Sequence, residues 1–381
     1  MTDVFCGVIS KIDRDSCTNP IPEPRKILLS NGAHLGDVLL STGILRVLKK
    51  EFPDAEIGFL TGSWSRQILE SSPLVDYLHL VDHWKLNRSK EPRWKKIVRY
   101  LRSRSVAKEE IKRVGYDLAI ELYPYFPNNI SLLYQAGIPV RIGYTSGGFG
   151  PLLTHSLDWK NEERSILWNE KELVRIFLLG SREPSSYSPH LAPDLSLMER
   201  IRSKFSGKFP FGEPYFVFHM GTGSSVKEWP ILNWRSLAIL FLGRQARIVL
   251  TGVGLREKAT IDAVKSLDPI LFVDLCDQLD WKEFVTLIAG AALVVSVDSV
   301  AGHVAAATGT PSVVIGNGLN APANWHPHSE VCRVLIHPVP CAPCYRSRGC
   351  EGMECIVETT PLEVIEAAED LLKKERGKSG P

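Results

Sequence analysis

Along most of the chain, short aliphatic and β-branched runs take turns with stretches of helical apolar spacing. Arg25–Ser30, Glu56–Thr61, Tyr77–Val81, Tyr116–Leu122 and Val140–Tyr144 read as strands in the first half. Pro214–Met220, Arg247–Thr251, Leu271–Asp274, Val294–Val297, Ser312–Ile315 and Val331–Ile336 do so in the second. Short continuous apolar runs bounded by turn residues mark strands buried on both faces of a parallel sheet. Apolar residues at helical spacing predict helices over Val38–Phe52, Ser65–Ser71, Asn128–Ala136, Glu170–Gly180, Leu197–Phe205, Asn233–Leu242, Trp281–Ala289 and Pro361–Lys374. The alternation predicts an α/β fold built from βαβ units.

The most telling unit is Val294–Pro311. A β-branched run meets the polar turn Asp298-Ser299, and small residues then carry a helix to Gly309, with Pro311 just beyond, as helix ends prefer. This leaves a bare helix N-terminus at the carboxyl end of a parallel strand. Ligands bind there in open α/β sheets, and free N–H groups suit phosphate. Asp298, Ser299, Gly302 and His303 all fall at this turn. A simpler reading makes Asp298 a helix cap.

Other strand ends carry similar chemistry. The turn after the first strand, Asn31–Asp37, holds Gly32 and Gly36, which open the backbone to a ligand. Asp37 at its end either caps the helix or serves as a general base towards a bound hydroxyl. After Met220 comes Gly221-Thr222-Gly223-Ser224-Ser225-Val226-Lys227-Glu228-Trp229-Pro230. Its N–H and hydroxyl donors and the Lys227 charge suit a phosphate or diphosphate. Glu257, just past Gly252-Val-Gly254, is placed either to grip a ribose diol or to stand exposed on its helix.

Length changes the picture next. A chain of 381 residues exceeds one ordinary core and suits two domains. Three prolines in 184–193 mark a linker. The divisions expected are an irregular arm over 1–24, one domain over 25–195, a second over 196–338, and a cysteine-rich knuckle with a closing helix over 339–381. Composition is that of a globular protein, 44% apolar and 23% charged, and the net charge of +2 gives no global sign of a nucleic-acid binder. No apolar run approaches the ~20 residues of a membrane span, and the opening residues lack the pattern of a signal peptide, so a cytoplasmic protein is expected. Charge is uneven, however. Over Trp84–Arg113, Lys and Arg outnumber acids by 12 to 3, with a narrow stripe of Ile97, Val98 and Leu101. That stretch is either a solvated helix face or a surface for a polyanionic or membrane-proximal partner.

Four of the eight cysteines crowd into Cys341-x2-Cys344-x5-Cys350-x4-Cys355. Such spacing outside an oxidising compartment points to metal before disulfides. Four thiolates suit structural zinc or iron; the alternative is reduced thiols packed on the core.

Four segments, in order, resemble one known family: the Leu35-Gly36-Asp37-Val38 turn, the Gly223–Pro230 loop with its Lys-x-Trp-Pro, the Asp298-Ser299-x3-His303-x-Ala-Ala-Ala-x-Gly-Thr-Pro unit, and the Pro-Cys-x2-Cys tail. The chain is similar over nearly all of 25–373 to glycosyltransferase family nine, the ADP-heptose heptosyltransferases of lipopolysaccharide synthesis. The resemblance implies a GT-B fold, two Rossmann-like parallel-sheet domains facing across a cleft, with acceptor on the first and nucleotide-sugar on the second. It implies inverting transfer without a catalytic cofactor: Asp37 as base, Lys227 on the donor phosphates with Thr222 or Ser224, Glu257 on ribose, Asp298 on the sugar, and the helix N-terminus at Ser299, Gly302 and His303 on the diphosphate. Val300 stands where the family usually has glycine. Some relatives that modify proteins carry a four-cysteine metal finger near the C-terminus, here Cys341, Cys344, Cys350 and Cys355. The acceptor implied is the lipopolysaccharide core or another cell-envelope hydroxyl, reached from the inner face of the cytoplasmic membrane. A protein O-heptosyltransferase, a sugar-nucleotide epimerase and a non-catalytic nucleotide-sugar-binding scaffold are the alternatives.

Overall fold

The computed structural model describes residues 21, 23–159, 164–178, 187–189, 191–205, 214–242, 247–321, 325–346 and 348–378. The expected arm over 1–24 and linker over 184–193, with Cys6 and Cys17, fall largely or wholly outside them. The chain divides into two compact units, Met1–Pro189 and His190–Pro381.

In the first unit, β1 (Lys26–Ser30), α1 (Leu35–Glu51), β2 (Glu56–Thr61), α2 (Arg66–Leu69), β3 (Tyr77–Leu80), α3 (Arg93–Val114), β4 (Leu118–Glu121), α4 (Ile130–Gln135), β5 (Val140–Tyr144), β6 (His155–Leu157) and α5 (Ile166–Arg175) follow in order. The six strands pair in parallel in the order β3-β2-β1-β4-β5-β6. In the second, α6 (Leu197–Lys204), β7 (Tyr215–His219), α7 (Ile231–Phe241), β8 (Arg247–Thr251), α8 (Gly254–Lys265), β9 (Phe272–Asp274), α9 (Trp281–Ala289), β10 (Leu293–Val297), α10 (Val300–Thr308), β11 (Ser312–Ile315) and β12 (Cys332–Leu335) form a second parallel sheet, β12-β11-β10-β7-β8-β9. Two helices follow the second sheet, the short α11 (Glu354–Val357) and the long α12 (Pro361–Lys378).

Both sheets share one winding. The first strand of each unit lies in the middle beside the fourth, and the order runs outward in opposite directions from that pair. This is the doubly wound Rossmann arrangement, whose ligand crevice opens where the winding reverses. The switch points are therefore β1/β4 and β7/β10, and every Gly-rich turn singled out as donor- or base-bearing follows β1, β7, β8 or β10.

Several boundaries differ from the sequence expectation, each for a local reason. α1 starts at Leu35 rather than Val38, because the Asp37 carboxylate accepts the His34 N–H at 3.0 Å and closes the first turn. α5 begins at Ile166 rather than Glu170, because the Ser165 hydroxyl accepts the Leu167 N–H. The strand β6 and helix α11 were not foreseen; at three and four residues they are too short to carry periodicity. The tail after residue 339 is not set apart. Ile356, Val364, Ile365, Ala368 and Leu371 lie in one core with Phe218, Trp234, Phe241 and Val295 of the second unit. Thr360 starts α12 reciprocally, its hydroxyl accepting the Glu363 N–H while Glu363 accepts the Thr360 N–H.

Candidate active site

In the first unit, the turn after β1 is tied down from below. Asn31 is buried and donates to Ser41 Oγ at 2.9 Å while accepting the Ala33 N–H. Ser41, one turn past Asp37 on α1, lies 3.1 Å from the Asp37 carbonyl and 2.5 Å from Glu170 Oε1. Tyr187 donates to the other Glu170 oxygen at 3.1 Å. Burial pushes the Glu170 carboxyl up to about 8, so it is protonated at neutral pH. The hydrogen bonds then close without conflict: Glu170 donates to Ser41, Ser41 to the Asp37 carbonyl, and Tyr187 to Glu170. The first turn of α1 is thus held by a neutral chain, and the half-buried Asp37 carboxylate projects from it. On its open side partial desolvation lowers the Arg88 guanidinium while attraction to Asp37 works the other way, and Tyr123 stands near both. A second buried acid, Glu121, ends β4 and accepts from Ser30 Oγ and the Asn129 N–H; burial raises it to about 7. Glu170, Arg88, Tyr123 and Glu121 carry no motif, and the sequence reading missed them.

In the second unit, the turns after β7 and β10 meet. Lys227 Nζ stands 2.6 Å from Asp298 Oδ2, and Asn317 Nδ2 donates to the same oxygen at 3.2 Å. Burial pushes the Asp298 carboxyl up, but Lys227 chiefly, then His326 and His303, outweigh it and hold it below the usual carboxylate range. The simpler cap reading fails for Asp298, since Ser299 is the residue at the N-cap of α10. The Ser299 hydroxyl and His303 Nδ1 are buried without a hydrogen-bond partner among the described residues. Burial brings His303 down to about 4, so its imidazole is neutral at pH 7. Beside them lie the unspent N–H groups of the first turn of α10. Gly302 serves packing as well: a Cβ there would stand 2.7 Å from Val314 Cγ2, so its absence lets α10 settle on the sheet.

Thr222 is buried, with its hydroxyl 3.4 Å from the Asp298 carbonyl, and its own carbonyl accepts from Arg256 at 2.6 Å. Arg256 also pairs with Glu228 at 2.6 Å and so ties the loop to α8. Glu257 reaches beneath the β7 turn, filling the space a Gly221 side chain would need and accepting the Val253 N–H at 2.6 Å. It is not the exposed helix carboxylate of the simpler reading; burial raises its pKa. Ser224 takes part through its carbonyl, which accepts the Lys227 N–H. The structure thus gathers Thr222, Lys227, Asp298, Ser299 and His303 at one switch point, with Glu257 at its β8 side. Asn317, Arg256 and His326 complete the group.

The tail clamps this loop from behind. Trp229 is buried against Trp234 and donates to the Thr359 carbonyl at 2.9 Å. Cys344 and Tyr345 donate backbone N–H groups to Gly318 and Leu319, the residues after Asn317. Gly349 lies against Val226. Of the four thiols, Cys355 is buried, Cys344 half-buried, and Cys341 and Cys350 exposed. The Cys355 thiol is raised by burial and further by the other three. Among the described residues no three His, Cys, Asp or Glu side chains are gathered as a metal site.

The family model for glycosyltransferase family 9 (heptosyltransferase) matches residues 104–353. Lipopolysaccharide heptosyltransferase 2 of Escherichia coli is 24% identical over 365 residues, 92% of this chain and 99% of that protein. Lipopolysaccharide heptosyltransferase 1 of Salmonella typhimurium is 33% identical over 188 residues, 43% of this chain and 53% of that protein. Among solved structures, the Escherichia coli ADP-heptose lipopolysaccharide heptosyltransferase II superposes with a TM-score of 0.71 at 22% identity, over 92% of this chain and 99% of that one. An Escherichia coli heptosyltransferase with ADP gives 0.68 at 18%, over 91% and 99%. Such identities speak for the fold, and the two Rossmann-like sheets are those of the GT-B class. With a family match over well more than half its length, the chain belongs to glycosyltransferase family 9 and is a glycosyltransferase of the heptosyl-transferring kind.

Proposed function

We propose that this enzyme transfers a heptose from ADP-heptose to a hydroxyl of the lipopolysaccharide core with inversion at the anomeric carbon. The observation that carries the reading is the joining of Lys227, Asp298 and the bare α10 N-terminus at the β7/β10 switch point. A diphosphate there meets a cation, unspent N–H groups, and Ser299 Oγ and His303 Nδ1, which have no hydrogen-bond partner among the described residues. Glu257 takes the ribose, and Asp298, held ionised by Lys227, takes the sugar. On the first unit Asp37 accepts the proton of the acceptor hydroxyl as its oxygen bonds to the anomeric carbon. The bond from that carbon to the diphosphate breaks, and ADP leaves with the electron pair. Lys227 and the α10 N-terminus stabilise the charge gathered on it.

The scheme uses no catalytic cofactor. We assign the tail thiols Cys341, Cys344, Cys350 and Cys355 to structural zinc or iron, which an all-sulfur donor set suits. The four sit in one knuckle, where the other three act electrostatically on Cys355, but they are not gathered at ligating spacing, so binding would draw them in. Metal content of the purified protein tests this; metal-free protein with four free, titratable thiols would sink it.

The transfer reading is tested with ADP-heptose and a heptose-deficient lipopolysaccharide. Asp37→Asn is expected to keep donor affinity and lose about 10²–10⁴-fold in kcat. Full-rate transfer by that variant removes Asp37 as base. Turnover of ADP-heptose without acceptor would mark an epimerase, and transfer to a protein alone would move the acceptor to a polypeptide.

A further inference from the structure

Helix α3 carries two apolar faces, and the core uses one. Ala107 and Ile111 are buried, packed in the first unit's core with Leu28, Leu60 and Tyr116. On another side of the helix Trp94, Val98 and Leu101 follow at i, i+4 and i+7, which sets them in one line. They are 63%, 39% and 59% exposed. Lys95, Arg99 and Arg102 run along one flank of this line, and Arg93, Arg104 and Lys108 along the other. The helix holds nine Lys and Arg against two Glu. The pattern continues into neighbouring loops: the Arg93 guanidinium lies 4.4 Å over the Trp84 ring, and Lys85 lies 4.5 Å over Phe126, itself 53% exposed.

A large side chain such as Trp94 costs free energy in water, and three in line form an apolar strip that none of the described residues covers. Charge decides the occupant. A nucleic acid would use the cations and leave the strip wet. An apolar protein groove would cover the strip but leave cations crowded on both margins. An anionic bilayer takes both parts, with apolar side chains at the acyl boundary and cations among the phosphates. No helix among the described residues is long and apolar enough to cross a membrane, so such contact would be peripheral.

We propose that α3 lies in the headgroup layer of an anionic lipid bilayer, with Trp94, Val98 and Leu101 inserted and Lys95 and Arg102 on lipid phosphates. This goes beyond the transfer reading and does not depend on it, since neither the helix nor the readout below involves donor or acceptor.

The test is co-sedimentation of the full-length protein with vesicles of phosphatidylcholine alone or doped with phosphatidylglycerol. Wild type is expected to partition onto the anionic vesicles and stay free of the neutral ones, with binding that weakens as salt rises. The triple variant W94S/V98S/L101S and the reversal K95E/R102E should each lose at least about tenfold in partition coefficient. All five residues are exposed, so both variants should melt as wild type does. Wild type that ignores anionic vesicles overturns the proposal. So does a W94S/V98S/L101S variant that binds as well as wild type while K95E/R102E fails, because that result describes a polyanion surface with no inserted strip.

Discussion

Lys227 Nζ and Asp298 Oδ2, separated by 71 residues in the chain, stand 2.6 Å apart at the β7/β10 switch point. Each is the other's counter-ion while no donor is bound. A bound diphosphate would share Lys227 with Asp298, which Asn317 also holds. The two partners should therefore respond oppositely. Lys227→Ala is expected to weaken ADP binding by about 10–100-fold, the worth of a charge-assisted hydrogen bond. Asp298→Asn releases Lys227 and should leave ADP affinity unchanged or tighter while heptose transfer falls. Calorimetric titration with ADP measures both; equal losses would mean that the pair acts only as a structural brace.

The tail reaches the same place by a different route. Gly349 has φ +70, and a Cβ there would stand 3.0 Å from Val226 Cγ1, the neighbour of Lys227. Gly349→Ala must strain a left-handed residue, at about 1–2 kcal/mol, and press on the loop that carries Lys227. The expected outcome is a donor KM raised several-fold with acceptor KM unchanged, read from steady-state kinetics with each substrate varied. A change in acceptor KM alone would deny the clamp its role.

Glu170 gives a prediction in pH. Its folded-state pKa of about 8 lies above the ordinary value because of burial. Between about pH 4.3, where the unfolded chain gives up this proton, and pH 8, the folded protein holds a proton that the unfolded chain lacks. The stability due to that group is therefore full below the lower limit and is lost as pH rises to the upper one. Glu170→Gln keeps a neutral group there and removes the titration. Its Tm relative to wild type should improve by about a few degrees from pH 5 to pH 8. A difference independent of pH would show that Glu170 is ionised in the folded protein.

Local information was enough for much of this protein. Continuous β-branched runs and helical spacing placed most strands and helices within a few residues, because burial on a period of one residue or 3.6 is written directly into the chain. Gly-rich turns at strand ends, and the residues they carry, were legible for the same reason: a bare helix N-terminus after a parallel strand is a local feature. That Asp37, Thr222, Lys227, Glu257 and Asp298 lie at strand ends was therefore readable without coordinates.

Tertiary structure decided the rest. The winding β12-β11-β10-β7-β8-β9 places the first strand of its unit beside the fourth, and no spacing in the sequence says so. From that order follow the meeting of Lys227 with Asp298 and the reach of Asn317 to the same oxygen. Glu170 and Ser41 are 129 residues apart, and each alone is an ordinary polar residue on a helix. A buried carboxyl keeps its proton, and a buried cation keeps its counter-ion, only once distant segments have closed around them. Their chemistry belongs to the packing, whereas the strands and turns that deliver them belong to the sequence.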